Sequence, residues 1–336
     1  MRKLAACTLI LLAIRPATRA SDVVAPATAP ANRGAATVAT ARALLAANDL
    51  AGAERLLSPA VAECSADADL RLAWIDAALL AGRPTLALER LAGAPRAWCH
   101  QPEFQWRCAQ ALAARGPVLG QAEVRTVRGG RAGQFIDGYL LVEARPGDEQ
   151  FLCCGPDAAL YQLRQALDAG LNEPAAHVLH ARLWQQLGRP ELGLAVLKSR
   201  AADLLHPPTA SVLAAFSELA LAAGALPDYL RYERLRAELD PHQHDAIRVH
   251  ACLVAAERYS QAGDEALHLE WLRRARALRP LDADLLLRVA DAAWEAGQAR
   301  AAAADYGLVL RLQPDHPERR RILGRLAEAR TEEAAP

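Results

Sequence analysis

A residue type that ends helices recurs in this chain at an interval of 34 residues. Asn48, Gly82 and Gly116 are separated by this interval, and so are Gly263 and Gly297. In the later pair a proline follows each glycine by 17 residues. Because glycine commonly ends a helix and proline cannot continue one, each unit of 34 residues carries two helix boundaries. This period predicts a stack of two-helix repeats that bury their apolar surfaces against one another.

Composition agrees with a helical stack and excludes some partners. The 336 residues are 52% hydrophobic but only 5% aromatic, which indicates helices packed closely through alanine and leucine. The formal net charge is zero, so the chain has no general attraction for nucleic acid, and we expect none as a partner.

The first 20 residues are typical of a secretory signal peptide. Basic residues at 2 and 3 precede the apolar run Leu4–Ile14, and small residues flank Arg19. We expect cleavage after Ala20 and a location in the periplasm or outside the cell. Retention of the run as a membrane anchor and acylation at Cys7 are the alternatives. Residues 21–35 are rich in alanine and proline and are predicted to form an extended linker.

The unit that starts at Ala283 resembles the tetratricopeptide repeat (TPR) position by position. The residues that match are Leu286, Val289, Ala290, Ala293, Gly297, Ala302, Tyr306, Val309 and Pro314. The unit from Val249 also matches, except that His268 replaces the small residue at position 20. The resemblance implies an all-α fold in which two-helix repeats form a right-handed superhelical stack.

Between Gly116 and Asp157 the helical period gives way to strand-forming residues. Val124–Val127, Phe135–Val142 and Phe151–Leu152 are separated by clusters of glycine, proline and aspartate. This pattern predicts a small β-hairpin insertion of two or three strands, which could replace the first helix of one repeat. Its role is open between a structural plug and a contact element for a partner.

The predicted organisation follows from these boundaries. It comprises a signal peptide (1–20), a linker (21–35), N-terminal repeats (36–116), a β-rich insertion (117–156), C-terminal repeats (157–315), and a charged capping helix with a tail (316–336).

Cysteine and histidine offer several alternatives to a purely structural role. Cys64 and Cys99 lie at neighbouring positions of consecutive units and could pair, whereas Cys252 occupies a predicted core position. Cys153 and Cys154 could form a bridge or bind a metal. Two histidine groups could also be metal ligands, although core packing or exposure in a loop explains them as well: His177 and His180 near Glu173, and His242, His244 and His250 around Asp245.

Catalytic motifs are absent from the sequence. The two lysines, Lys3 and Lys198, do not belong to a phosphate-binding loop, and there is no His-Glu-x-x-His, Gly-x-Ser-x-Gly or Cys-x-x-Cys-His motif. We therefore expect no catalytic residue, no resident metal and no cofactor.

The resemblance to TPR proteins implies that positions 2, 5, 9 and 12 of each first helix line a concave groove. The residues expected to bind a protein or peptide there are Glu218, Glu257, Asp291, Trp294, Arg182 and Gln185, and earlier units add Asp76 and Trp106. The acidic residues favour a basic or amphipathic segment. The predicted function is an exported, non-catalytic scaffold for protein interactions in the cell envelope. The alternatives are an envelope enzyme or metal-dependent sensor that uses the insertion, and an assembly factor that holds apoproteins.

Overall fold

The computed structural model describes residues 30–115, 125–126, 135–136, 139–143, 150–153 and 156–334. The predicted signal peptide lies outside these residues. The chain divides into two compact units, Met1–Pro207 and Pro208–Pro336. In both units the described residues are mainly helical, which confirms the predicted fold class of stacked two-helix repeats.

In unit 1, successive helices pack in pairs, α1 with α2, α3 with α4, α5 with α6, and α7 with α8. A short 3-10 helix (Arg96–His100) precedes α5. Helix α1 includes residues 30–35, which the sequence assigned to the linker. The bounds are α1 (Pro30–Ala46), α2 (Leu50–Glu63), α3 (Ala68–Leu80), α4 (Pro84–Ala92), α5 (Pro102–Arg115), α6 (Pro156–Asp168), α7 (Pro174–Gln186), α8 (Pro190–Ser199) and α9 (Ala201–Leu204).

Unit 2 repeats the arrangement with α10 on α11, α12 on α13, and α14 on α15, and α16 then packs against α15. The charged helix predicted at the C-terminal end corresponds to α16. The bounds are α10 (Ala210–Ala222), α11 (Leu226–Leu239), α12 (His244–Gln261), α13 (Glu265–Leu278), α14 (Ala283–Glu295), α15 (Ala299–Leu312) and α16 (Arg319–Ala334).

The predicted helix-ending residues adopt the left-handed conformation that stops a helix. Gly297 has φ 71° and Asn48 has φ 61°, and the backbone N–H that follows each one donates to the last turn of the helix, Gln298 to Ala293 O (2.8 Å) and Asp49 to Leu44 O (2.9 Å). The same sign of φ occurs at Gly82, Gly170, Gly188, Gly224, Gly263. Gly116 lies outside the described residues.

Aspartate side chains begin several of the helices. The Asp264 and Asp282 carboxylates accept from the backbone N–H of Leu267 and Leu285, at 3.0 and 3.1 Å. Asp49 and Asp67 cap α2 and α3 in the same way. These caps satisfy N–H groups that have no partner inside the helix, so the chain fixes both ends of many of its helices locally.

Small residues allow the paired helices to approach closely. Ala41, Ala109 and Ala290 occupy position 8 of their units and are fully buried, as are Ala53, Ala87 and Ala302 at position 20. His268 is the exception at position 20. Its ring Nδ1 lies 2.9 Å from the carbonyl oxygen of Ala256, so a hydrogen bond to the facing helix accommodates the larger side chain.

The segment between α5 and α6 contains four short strands, where the sequence predicted two or three. They are β1 (Arg125–Thr126), β2 (Phe135–Ile136), β3 (Tyr139–Glu143) and β4 (Gln150–Cys153). They form an antiparallel sheet in the order β1-β4-β3-β2, in which Leu141 pairs with Leu152 and Phe135 with Leu140.

The insertion does not replace the first helix of a repeat, which corrects that expectation. Helices α5 and α6 pack against each other as the two helices of one unit, and the sheet lies between them in the chain. The predicted boundary between repeats and insertion therefore falls inside a repeat. Leu112 of α5 and Leu163 of α6 belong to the same buried cluster, and this shared core holds the pair together.

Candidate partner-binding face

The four residues predicted in the C-terminal repeats all lie on first helices of unit 2. Glu218 is on α10, Glu257 on α12, and Asp291 and Trp294 on α14. We call the side of these helices that carries repeat positions 2, 5, 9 and 12 the first-helix face. Glu218 and Glu257 are exposed, whereas Asp291 and Trp294 are half-buried. The structure therefore separates two exposed carboxylates from a partly covered pair.

Asp291 is engaged by two other side chains. Both of its oxygens accept from the guanidinium of Arg321 on α16, Oδ1 from Nη1 at 2.6 Å and Oδ2 from Nη2 at 2.9 Å. The hydroxyl of Tyr306 also donates to Oδ1 at 2.6 Å. Burial and this hydrogen bond raise the pKa of Tyr306, and the bond to Asp291 raises the pKa of Arg321. The carboxylate predicted to bind a partner is thus already neutralised by the chain itself.

Trp294 is covered in a related way. The guanidinium carbon of Arg325 lies 4.5 Å from the centre of the indole ring, and the ring centres of Trp294 and Tyr306 are 6.5 Å apart. These are cation–π and tilted aromatic contacts. Arg321 and Arg325 were missed from the sequence, where α16 was predicted only to cap the stack. Their spacing of four residues was the available signal.

Glu257 differs from Asp291 in its surroundings. One of its carboxylate oxygens accepts from the side-chain amide of Gln261 at 2.9 Å, on the same helix. The neighbouring Arg258 points its guanidinium to the carbonyl oxygen of Leu221 on α10, 3.4 Å away. Glu257 therefore presents an exposed carboxylate on the first-helix face, and a cationic group of a partner could pair with it.

Unit 1 contains an ion pair of the same kind as the one at Asp291. Asp76 on α3 accepts from Arg107 on α5 through both oxygens, at 3.0 and 3.1 Å. In each unit an arginine fork therefore joins two first helices that follow one another along the chain. Arg182 and Gln185 lie half-buried on α7, whereas Trp106 is 4% exposed inside the core. The expectation that Trp106 lines a groove is wrong, because its ring packs between repeats.

His177 and His180 lie on α7 among apolar and charged neighbours. His177 is 6% exposed, and its Nε2 has no hydrogen-bond partner. Burial lowers its pKa, and burial with nearby Arg164 lowers the pKa of His180 to about 4. The Nε1–H of Trp184 donates to His180 Nε2 at 3.3 Å. The packing favours the core alternative for this pair over the metal alternative.

The second histidine group lies at the beginning of α12. His244 Nδ1 is 3.0 Å from a carboxylate oxygen of Asp245, and His242 and His250 are exposed. Within the described residues, no group of three or more histidine, cysteine, aspartate or glutamate side chains is arranged to hold a metal ion.

Cysteines show two distinct environments. Cys64 is a free, exposed thiol, so the alternative of a Cys64–Cys99 disulfide is wrong. Cys252 is free and half-buried against Val249 and Leu285, and burial raises the pKa of its thiol. The side chains of Cys153 and Cys154 lie outside the described part of the chain.

A buried pair of arginines in unit 1 was also missed from the sequence. Arg90 is 5% exposed, bonds to Glu54 at 2.5 Å and stacks on Trp74 at 4.1 Å. Arg71 donates to the carbonyl oxygen of Arg90 in the last turn of α4, where a positive charge is favourable. These contacts join α2, α3 and α4, so the pair has a structural role.

Comparisons with solved structures find helical-repeat proteins. The chain is similar to a tetratricopeptide repeat protein from Parabacteroides merdae (12% identity, TM-score 0.44, 89% of this chain and 99% of that chain). It is also similar to a chain of the Cut9-Hcn1 hetero-tetramer of the APC/C (13%, 0.42, 84% of this chain), of whose length it spans 46%. A thermophilic TPR protein in Thermus thermophilus is a third (22%, 0.26, 52% and 90%). No protein-family profile and no curated protein sequence matches this chain.

The chain's own helix pairs and turns define its class, a TPR-like helical-repeat protein. Its helices pack in consecutive pairs, and glycines with positive φ close the first helices at the predicted interval. No helix among the described residues has the length and apolar character needed to cross a membrane.

Proposed function

We propose that this protein is an exported, non-catalytic scaffold that binds a protein partner on its first-helix face in the cell envelope. The observation that carries the proposal is the exposed carboxylate of Glu257 on a repeat surface of unit 2. Repeat stacks present extended surfaces to partners, because each unit adds side chains at the same positions.

The envelope location is supported by the first 20 residues. A basic start, an apolar run of eleven residues and small residues around Arg19 have the order of a cleaved signal. The absence of catalytic motifs from the sequence supports a binding role over an enzymatic one.

Photo-crosslinking in intact cells tests the proposal. A photoreactive amino acid at position 257 is compared with the same amino acid at position 234, an exposed position on the second helix α11. We expect a discrete crosslinked protein from position 257, recovered from the envelope fraction, and none from position 234. Equal labelling at both positions would contradict a specific face, and recovery only from the cytoplasm would contradict export.

A matched substitution examines the charge of the face. Glu257→Gln removes the carboxylate and keeps the size and hydrogen-bonding capacity of the side chain. We expect lower yield of the crosslinked protein when the photoreactive residue is placed at position 260 on the same helix. Glu265→Gln, at an exposed position of α13, is the control and should leave the yield unchanged.

A further inference from the structure

Helix α16 covers Asp291 and Trp294 with an arrangement that resembles a bound ligand. Arg321 and Arg325 are four residues apart and therefore lie on one face of the helix. One forms a fork on the carboxylate and the other stacks on the indole. The adjacent Ile322 is fully buried in the cluster that contains Tyr306. Two arginines and one aliphatic side chain thus make the contacts with this surface.

The contacts made by α16 are also of a kind that another helix could replace. The side chains of Asp291 and Arg321 remain 31% and 38% exposed, so water and competing cations reach the ion pair. Among the described side chains of α16, Ile322 and Ala329 are buried, while Leu323 is 46% exposed. By contrast, α14 buries eight residues. A helix with few buried side chains opens at lower free energy than the core on which it rests.

We propose that the surface formed by Asp291, Trp294 and Tyr306 is a binding site for a partner's amphipathic helix that carries arginine at positions i and i+4 and an aliphatic residue at i+1. Helix α16 occupies this site in the free protein, and the partner helix displaces it. The charge of Asp291 and the electron-rich face of Trp294 select arginine, since its planar guanidinium can both fork onto a carboxylate and stack on a ring. The inference rests on the proposed scaffold function and names the chemistry of the partner.

A labelled peptide with the sequence of residues 319–334 serves as the probe, because it carries the required spacing. Its affinity is measured by fluorescence anisotropy for the full chain and for the Arg321→Ala, Arg325→Ala double variant. Weakening the occupant should tighten binding of the probe by about tenfold, because apparent affinity scales with the fraction of empty sites. The control is Arg320→Ala with Arg330→Ala, which removes the same charge at exposed positions of the same helix.

Three outcomes would overturn the inference. The first is equal affinity for the two double variants. The second is unchanged affinity when Asp291→Asn is added to the Arg321→Ala, Arg325→Ala variant. The third is a self-associating wild-type chain in sedimentation, since the site would then accept α16 of a second copy instead of another protein. A probe in which glutamine replaces the arginines of positions 321 and 325 should bind at least tenfold more weakly by the same reasoning.

Hydrogen exchange provides a readout that does not depend on the variants. Saturating probe should speed exchange in α16 of the wild-type chain and leave α14 protected. Unchanged exchange in α16 would place the probe elsewhere and contradict displacement. Recovery of a partner by crosslinking at position 257, together with failure of the probe, would remove this inference and leave the proposed function standing.

Discussion

At the scale of single residues, glycines at helix ends determine where each repeat turns. Gly297 ends the first helix of its unit with φ 71°, a conformation that places a Cβ close to the backbone of the same residue. No neighbouring atom lies within 4 Å of where its Cβ would be, so the requirement for glycine comes from the backbone alone. Gly307 lies inside α15 with the same open surroundings but no positive φ.

The two glycines should therefore respond to alanine in opposite directions. We expect Gly297→Ala to lower the free energy of unfolding by about 1 kcal/mol, because alanine is strained at positive φ. Gly307→Ala should raise it by about 0.5 kcal/mol, because alanine favours a helix interior. Urea unfolding of both variants checks the pair. The same sign for both would contradict the backbone explanation.

His180 predicts a dependence of stability on pH. Its pKa falls from 6.5 to about 4 on folding, through burial, Arg164 and His177, while Asp168 opposes the shift. Between these values the unfolded chain binds more protons than the folded chain. The stabilisation is therefore complete above pH 6.5 and decreases as the pH falls toward 4. His177 acts in the same direction, because its pKa is also lowered.

We expect His180→Gln to reduce the loss of stability between pH 7 and pH 5, measured by urea unfolding at both values. Glutamine retains an acceptor for the Nε1–H of Trp184 but does not titrate. His100→Gln, at an exposed position of the same unit, is the control and should keep the wild-type loss. An equal loss of stability in all three proteins would assign the dependence to other groups.

At the scale of elements, the main surprise is where the β insertion lies. The strand-forming composition between Gly116 and Asp157 was visible in the sequence, but the partner of α5 was not. Helix α5 packs on α6 across about forty intervening residues, as its counterpart α3 packs on α4 across a turn of three. Residues such as Leu112 and Leu163 share one apolar cluster and bring the two helices together.

Replacing residues 117–155 by a short glycine-containing turn should therefore leave unit 1 folded. The α5–α6 interface is formed by the two helices, and a shorter connection costs less loop-closure entropy. Circular dichroism and thermal unfolding check this expectation, with cooperative unfolding as the expected result. Leu163→Ala gives the matched comparison, since truncating this fully buried side chain should cost about 2–4 kcal/mol. Loss of cooperative unfolding in the shortened chain would show that the sheet supports the pair.

At the scale of the whole molecule, the proposal of export leads to a direct measurement. We expect the mature protein in the envelope fraction to begin at Ser21, because small residues at 18 and 20 flank Arg19. Mass spectrometry of the intact protein determines its first residue. Leu11→Arg with Leu12→Arg should block export by breaking the apolar run, whereas Leu56→Arg lies outside the run and should not affect targeting. A mature protein that still begins at Met1 would favour the retained anchor.

The sequence by itself determined the repeat period, the helix boundaries and the alanine positions of the core. Each of these depends on interactions within a few residues of the chain, such as positive φ at Gly263 and the cap that Asp282 provides for α14. Tertiary structure decided which side chains remain available. Asp291 and Glu257 occupy the same repeat position, but only Asp291 lies beside an arginine fork from a helix thirty residues further on. The periodic pattern cannot distinguish the two, because such pairing depends on the packing of α16 in space.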